Sequence, residues 1–158
     1  MILVPGDRAP GFRVPDQFGS VLDLAEVRQR STVLVAFLPF AFSPVCGDEI
    51  RSLQSLHEEL GEKAAPIEII GITADSKYTL AAWSETAGVT FRLGSDFWPH
   101  GEVARSFGVF DDGHGVAERG VFVVSTAGTI VSSRRVARTQ VRDFHIDIAE
   151  AMSAAERG

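Results

Sequence analysis

Residues Thr32 to Leu56 read TVLVAFLPFAFSPVCGDEIRSLQSL and hold the single cysteine of the 158-residue chain, Cys46. Val33 to Leu38 is an unbroken run of branched, apolar and aromatic residues. Such a run is the pattern of a strand buried on both faces inside a parallel sheet. Pro39 ends it, since proline cannot donate to the next rung of a ladder. From Cys46 onward, Ile50, Leu53, Leu56 and Leu60 recur at spacings of three and four with polar residues between them. That spacing predicts a helix from Cys46 to about Glu62. The cysteine therefore lies where a strand's exit loop becomes a helix.

Pro44 suits the first turn of that helix, where its missing N–H is not needed, and Asp48 and Glu49 suit the positive end of the helix macrodipole. Backbone N–H groups without intrahelical acceptors surround Cys46 there and favour the thiolate, the nucleophilic form. A lone cysteine is more often a small buried hydrophobe. Here the order Pro39-x-x-x-Ser43-x-x-Cys46, after a buried strand and at a helix start, points instead to catalysis.

This motif resembles the peroxidatic-cysteine motif of the peroxiredoxins, thiol peroxidases on a thioredoxin-like fold. Gly6-Asp7-Arg8-Ala9-Pro10-Gly11-Phe12 resembles the family's opening strand, with Gly11 in place of the usual acidic residue. Ser95-Asp96-Phe97-Trp98-Pro99-His100-Gly101, Phe107-Gly108-Val109-Phe110 and Arg119-Gly120-Val121-Phe122-Val123-Val124 resemble one subgroup in particular. It is the one-cysteine, alkyl hydroperoxide reductase E-like (AhpE-type) group of actinobacteria. The resemblance covers essentially the whole chain.

An unperturbed thiol titrates near ~8.5, so a useful shift of one to two units needs about 1.4 to 2.7 kcal/mol. A helix terminus supplies about 0.3 to 1 kcal/mol. Asp48 and Glu49 oppose the thiolate if they lie near it, so a cation is required. The resemblance implies Arg119, whose forked guanidinium can hold both a thiolate and a peroxide oxygen. At ~4 Å and an effective dielectric near 20 the raw attraction is about 4 kcal/mol. By position alone Arg119 reads as a surface arginine at a strand end. Ser43 reads as a helix cap, a role compatible with orienting a peroxide. Pro39 is a strand terminator or, as in the family, a wall that shields the pocket. Glu49 either compensates the helix dipole or orients Arg119 through an ion pair.

The length is that of one domain, taken as residues 1–158. The net charge of −6 is mild. Arg134, Arg135, Arg138 and Arg142 gather near the end, and without interleaved aromatics they read as a solvated face rather than a nucleic-acid site. The apolar start, Met1 to Val4, is cut short by Pro5, Gly6 and Asp7, which is not a secretory signal. The longest apolar stretch, Val33 to Phe42, is far short of a membrane span. One cysteine permits no internal disulfide, which fits a reducing compartment and a cytoplasmic protein. The four histidines show no ligand spacing, so no metal is expected, and no nucleotide or flavin motif occurs. The absence of a nucleophile elbow argues against a serine hydrolase.

Along the chain, Phe12 to Val14 and Val21 to Leu24 flank a polar, glycine-containing turn and predict an N-terminal hairpin. Ile67 to Thr73 is a second buried strand, parallel to the first. Ser76 to about Thr86 predicts a helix capped by Ser76 and stopped at Gly88. Phe91 to Leu93 reads as a short strand, Pro99 to Ser106 as a short helix, and the stretch between Phe110 and Arg119 as a loop. Arg119 to Ser125 and Thr129 to Val136 read as an antiparallel hairpin, and about Val141 to Ala155 as a final helix with Val141, Phe144, Ile148 and Met152 on one face. These elements predict an α/β thioredoxin-like fold, a three-layer sandwich around a central mixed sheet.

The expected reaction is attack of the Cys46 thiolate on hydrogen peroxide or an organic hydroperoxide, giving a sulfenic acid. Arg119, Ser43 and the Cys46 N–H would hold the peroxide, and no cofactor is called for. With no second cysteine, recycling falls to an external thiol or a glutaredoxin- or thioredoxin-like protein. The rival class is a thioredoxin-fold binding or redox-sensing protein without efficient turnover. Thiol–disulfide exchange is disfavoured by the lack of a Cys-x-x-Cys pair. Phe97, Trp98 and Pro99, with Phe107 and Phe110, either close the core or form an interface, and the family's habit implies a homodimer through this region.

Overall fold

The computed structural model describes residues 1–157. The buried run forms strand β3 (Thr32–Phe37), with every residue buried. On one side it pairs in parallel with β4 (Ile67–Thr73), which pairs in parallel with β5 (Arg92–Ser95). On the other side it pairs antiparallel with β8 (Arg119–Val124), which pairs antiparallel with β9 (Ile130–Val136). The order β5-β4-β3-β8-β9 makes a mixed five-stranded sheet with β3, the strand that leads to the cysteine, in the centre.

Alternation along β3 divides the core. Leu34 and Ala36 face the layer of helices α2 (Pro44–Glu62), α3 (Lys77–Ala87) and α5 (His145–Arg157), and pack among Ile50, Leu53, Leu80, Trp83 and Ala151. Val33, Val35 and Phe37 face the opposite layer. It holds α4 (Glu102–Phe107), the hairpin β1 (Arg13–Pro15) with β2 (Val21–Asp23), and α1 (Leu24–Val27). Phe37, Phe107 and Phe122 stack there with ring centroids 5.0 to 5.8 Å apart. Three layers around a mixed sheet make the thioredoxin-like fold.

Local chemistry sets most boundaries. Ser76 caps α3 by accepting the Thr79 N–H, and Gly88 ends it in the left-handed conformation at φ 68°, where a side chain is disfavoured. A bulge between Val123 and Val124 breaks the alternation that β9 would otherwise show.

Several boundaries differ from expectation. Helix α2 begins at Pro44, two residues before Cys46. The short helix begins at Glu102 rather than Pro99, because Gly101 is its N-cap and the Asp96 carboxylate accepts the N–H groups of Val103 and Ala104. Pro99, in the turn before it, follows a cis peptide bond. The expected loop after Phe110 contains a small hairpin, β6 (Phe110–Asp111) with β7 (Val116–Ala117). The last helix begins at His145. Phe144 is buried just before it, but Val141 is exposed, so the two do not share its apolar face.

Candidate active site

The geometry at Cys46 grows from the end of β3. Pro39 is buried, and the chain then turns through Phe40, Ala41 and Phe42 into α2. Phe42 sits at φ 68°, a conformation that costs a bulky residue about 1–3 kcal/mol and therefore marks a loop held by its surroundings. One such hold is the Asp75 carboxylate, whose Oδ2 accepts the Ala41 N–H at 2.9 Å. Ser43 occupies the N-cap position but makes no capping bond. Its Oγ donates instead to the Phe40 carbonyl at 3.2 Å. The expected side-chain cap is thus replaced by a bond within the loop, which leaves the oxygen's lone pairs free to accept.

Cys46 is fully buried in the first turn of α2. Arg119, the first residue of β8, meets it on the face of the sheet that α2 covers: Nη2 lies 3.3 Å from Sγ. The same guanidinium donates through Nε to the Arg138 carbonyl at 2.6 Å and through Nη1 to Glu49 Oε1. Three of the five N–H groups of an arginine are thereby engaged, and two remain for a ligand. Arg119 is 2% exposed, not the surface arginine its strand-end position suggested.

Glu49 lies one turn along the helix from Cys46 and is completely buried. Of the two readings open from sequence, the geometry realises the ion pair with Arg119. Its second partner is one that sequence reasoning missed. Arg142, placed above with the solvated arginines, is 2% exposed and grips Glu49 through its backbone N–H, Nε and Nη2 at 2.9, 2.7 and 2.9 Å. It also donates to the carbonyls of Gly120 and Phe37 at 2.7 and 2.8 Å. Its neighbours in sequence differ: Arg134 pairs with Asp147, and Arg138 is exposed. The one available signal was Glu49 itself, since a buried carboxylate needs more than one donor.

One carboxylate facing two permanently charged guanidiniums leaves a surplus of positive charge in a dry pocket. That surplus is presented to Cys46 Sγ through Arg119 Nη2. Asp48, by contrast, is exposed and paired with Arg51, away from this network. Among the described residues, no cluster of His, Cys, Asp and Glu has the form of a metal site, and no helix is long and apolar enough to cross a membrane.

The aromatic segment is split. Phe97, Trp98 and Pro99 are exposed, Trp98 to 83%, whereas Phe107 is fully buried and Phe110 partly so.

A free, buried cysteine held by arginine at this point of a thioredoxin-like sheet points to a class, the thiol-dependent peroxidases called peroxiredoxins. The chain belongs to the AhpC/TSA family, whose model matches residues 5–133. It is 36% identical over 139 residues to alkyl hydroperoxide reductase E of Mycobacterium tuberculosis, a match covering 87% of this chain and 89% of the relative. Among solved structures it is similar to the peroxidoxin BcpB of M. tuberculosis, with TM-score 0.81, 26% identity, and coverage of 98% of this chain and 97% of the other. Enterococcus faecalis AhpC gives TM-score 0.85 at 26% identity, covering 99% and 94%.

Proposed function

We propose that the chain works as a single-domain, one-cysteine peroxidase that reduces hydrogen peroxide and organic hydroperoxides at Cys46 and is recycled by an external thiol. The contact between Arg119 Nη2 and Cys46 Sγ carries this reading. The thiolate attacks the terminal peroxide oxygen. An S–O bond forms, the O–O bond breaks, and water or an alcohol leaves after taking a proton, with Cys46 now a sulfenic acid. The two free N–H groups of Arg119 and the Cys46 backbone N–H stabilise charge on the departing oxygen, as an oxyanion hole does. Ser43 Oγ, whose proton is committed to Phe40, accepts the hydroperoxide's O–H. Pro39 walls the pocket from water.

The sulfenic acid has no second thiol in this chain to attack it. A small-molecule thiol or a glutaredoxin- or thioredoxin-like protein completes the cycle through a mixed disulfide. The same cysteine count suits a reducing compartment such as the cytoplasm. The exposed Phe97, Trp98 and Pro99 form the surface through which we assign a two-fold homodimer. A single broad monomer peak in sedimentation at high protein concentration would remove that assignment.

Rapid peroxide consumption with stoichiometric sulfenate at Cys46 tests the main reading. Cys46→Ser consuming peroxide as fast as the parent protein would overturn it.

A further inference from the structure

Arg119 owes its aim to a stretch with no regular secondary structure. Residues 137–144 join the end of β9 to the start of α5. From this connection the Arg138 carbonyl accepts the Arg119 Nε–H, and Arg142 holds Glu49, the other carboxyl or carbonyl partner of that guanidinium. Only Arg142 and Phe144 in it are buried, and its other residues are exposed. Its fixed point is Arg134 on β9. That guanidinium grips both oxygens of Asp147, from Nε at 3.1 Å and from Nη2 at 2.7 Å, and Nη2 also donates to the Asp143 carbonyl at 2.8 Å. Asp147, in the first turn of α5, is 3% exposed. One side chain thus ties a strand to the helix that follows and to the connection between them. Helix α5 has apolar grounds of its own for docking, since Ala151, Ile148 and Met152 pack into the core. A buried ion pair adds little to such docking. What a two-point arginine fork adds is fixed direction and register.

We propose that Arg134 is a positioning residue for peroxide reduction, a staple that, through Asp147 and the Asp143 carbonyl, holds the connection whose Arg138 carbonyl and Arg142 side chain aim Arg119 at Cys46. The idea rests on the peroxidase reading above. Arg134 touches neither the sulfur nor Arg119, and it acts on them along two routes. One runs directly through the Arg138 carbonyl, 2.6 Å from Arg119 Nε. The other runs through Arg142, which takes both oxygens of Glu49 and so sets where that carboxylate meets Arg119. With the staple cut, both routes loosen together. The guanidinium then has no fixed partner to hold it 3.3 Å from Sγ. A displacement of even about 1 Å at a reacting centre costs up to about a hundredfold in rate, so a partial loosening is worth about tenfold.

The test is a double-mutant cycle on the rate at which hydrogen peroxide oxidises Cys46 in the reduced protein, followed in single turnover. Arg134→Ala should react about tenfold more slowly than the parent. Arg134→Lys, which keeps the charge but cannot grip both Asp147 oxygens and the Asp143 carbonyl at once, should recover only part of that loss. Because the effect passes through Arg119, adding Arg134→Ala to Arg119→Ala should change the rate by less than about twofold. A purely structural weakening would slow both backgrounds alike. An unchanged rate in Arg134→Ala, or a second full tenfold loss in the Arg119→Ala background, would overturn the staple. Should Arg134→Ala not fold, the same cycle run with Asp147→Asn, which keeps one oxygen for Arg134, decides. A slowing that vanishes in the Arg119→Ala background supports the assignment, and an unchanged or additive rate overturns it. A parent protein that leaves Cys46 unoxidised by peroxide would instead defeat the peroxidase reading.

Discussion

Arg142 holds both oxygens of Glu49, 93 residues earlier in the chain, while Arg119 takes one of the same oxygens and points its remaining nitrogen at Cys46. The sulfur's electrostatic setting therefore depends on a residue that does not touch it. Arg142→Ala should leave a buried carboxylate short of donors and two strand-end carbonyls unpaired. A loss of about 3–5 kcal/mol is expected, and denaturant unfolding of the reduced protein measures it. Peroxide reduction should slow as well, because Glu49 would be free to pull Arg119 away from the sulfur.

Arg119 contributes charge and fork together. Arg119→Ala should slow peroxide reduction, because the sulfur and the peroxide lose the donor that reaches both. Arg119→Lys keeps the charge but can neither bridge Glu49 and Cys46 nor spare two further N–H groups, so it should recover part of the rate. An unchanged rate of peroxide reduction in Arg119→Ala would remove the residue from the chemistry.

The oxidised states should be readable by mass. Excess hydrogen peroxide without thiol should add two oxygens, as Cys46 sulfinate, and end activity. With thiol present, a mixed disulfide should appear instead and turnover should continue. Full cycling with no thiol would contradict the one-cysteine mechanism.

Asp96 gives a pH dependence of known sign. Burial raises its carboxyl above the ordinary value near 3.8, only partly offset by the N–H groups of Val103 and Ala104. Between 3.8 and the raised native value the folded state binds more protons than the unfolded one. Its contribution to stability is therefore greatest at the acid side of that window and is lost as pH rises through the native value. Asp96→Asn should flatten this dependence in urea midpoints.

What the sequence discloses is what neighbours in sequence decide. The β3 run, the Ser76 cap and the Gly88 stop each carry their cause within a few residues, and the structure has them where expected. The Phe110–Arg119 segment was harder, because two-residue strands leave no periodicity to detect. Arg119 was legible through family resemblance, not through its position. Arg142 was not legible from its own surroundings, because an arginine among arginines on an irregular stretch looks solvated. Only the arrival of Glu49 from a distant helix gives it a reason to be buried.

The placement of Arg142 also bears on the order in which the molecule becomes competent. The β3–β8 ladder ends at the pair Ala36 and Val121, and the next two residues, Phe37 and Gly120, give their carbonyls to Arg142 rather than to each other. Arg142 thereby plugs the point where the two strands part, and the pocket is completed only when the segment that follows β9 docks against the end of the β3–β8 ladder.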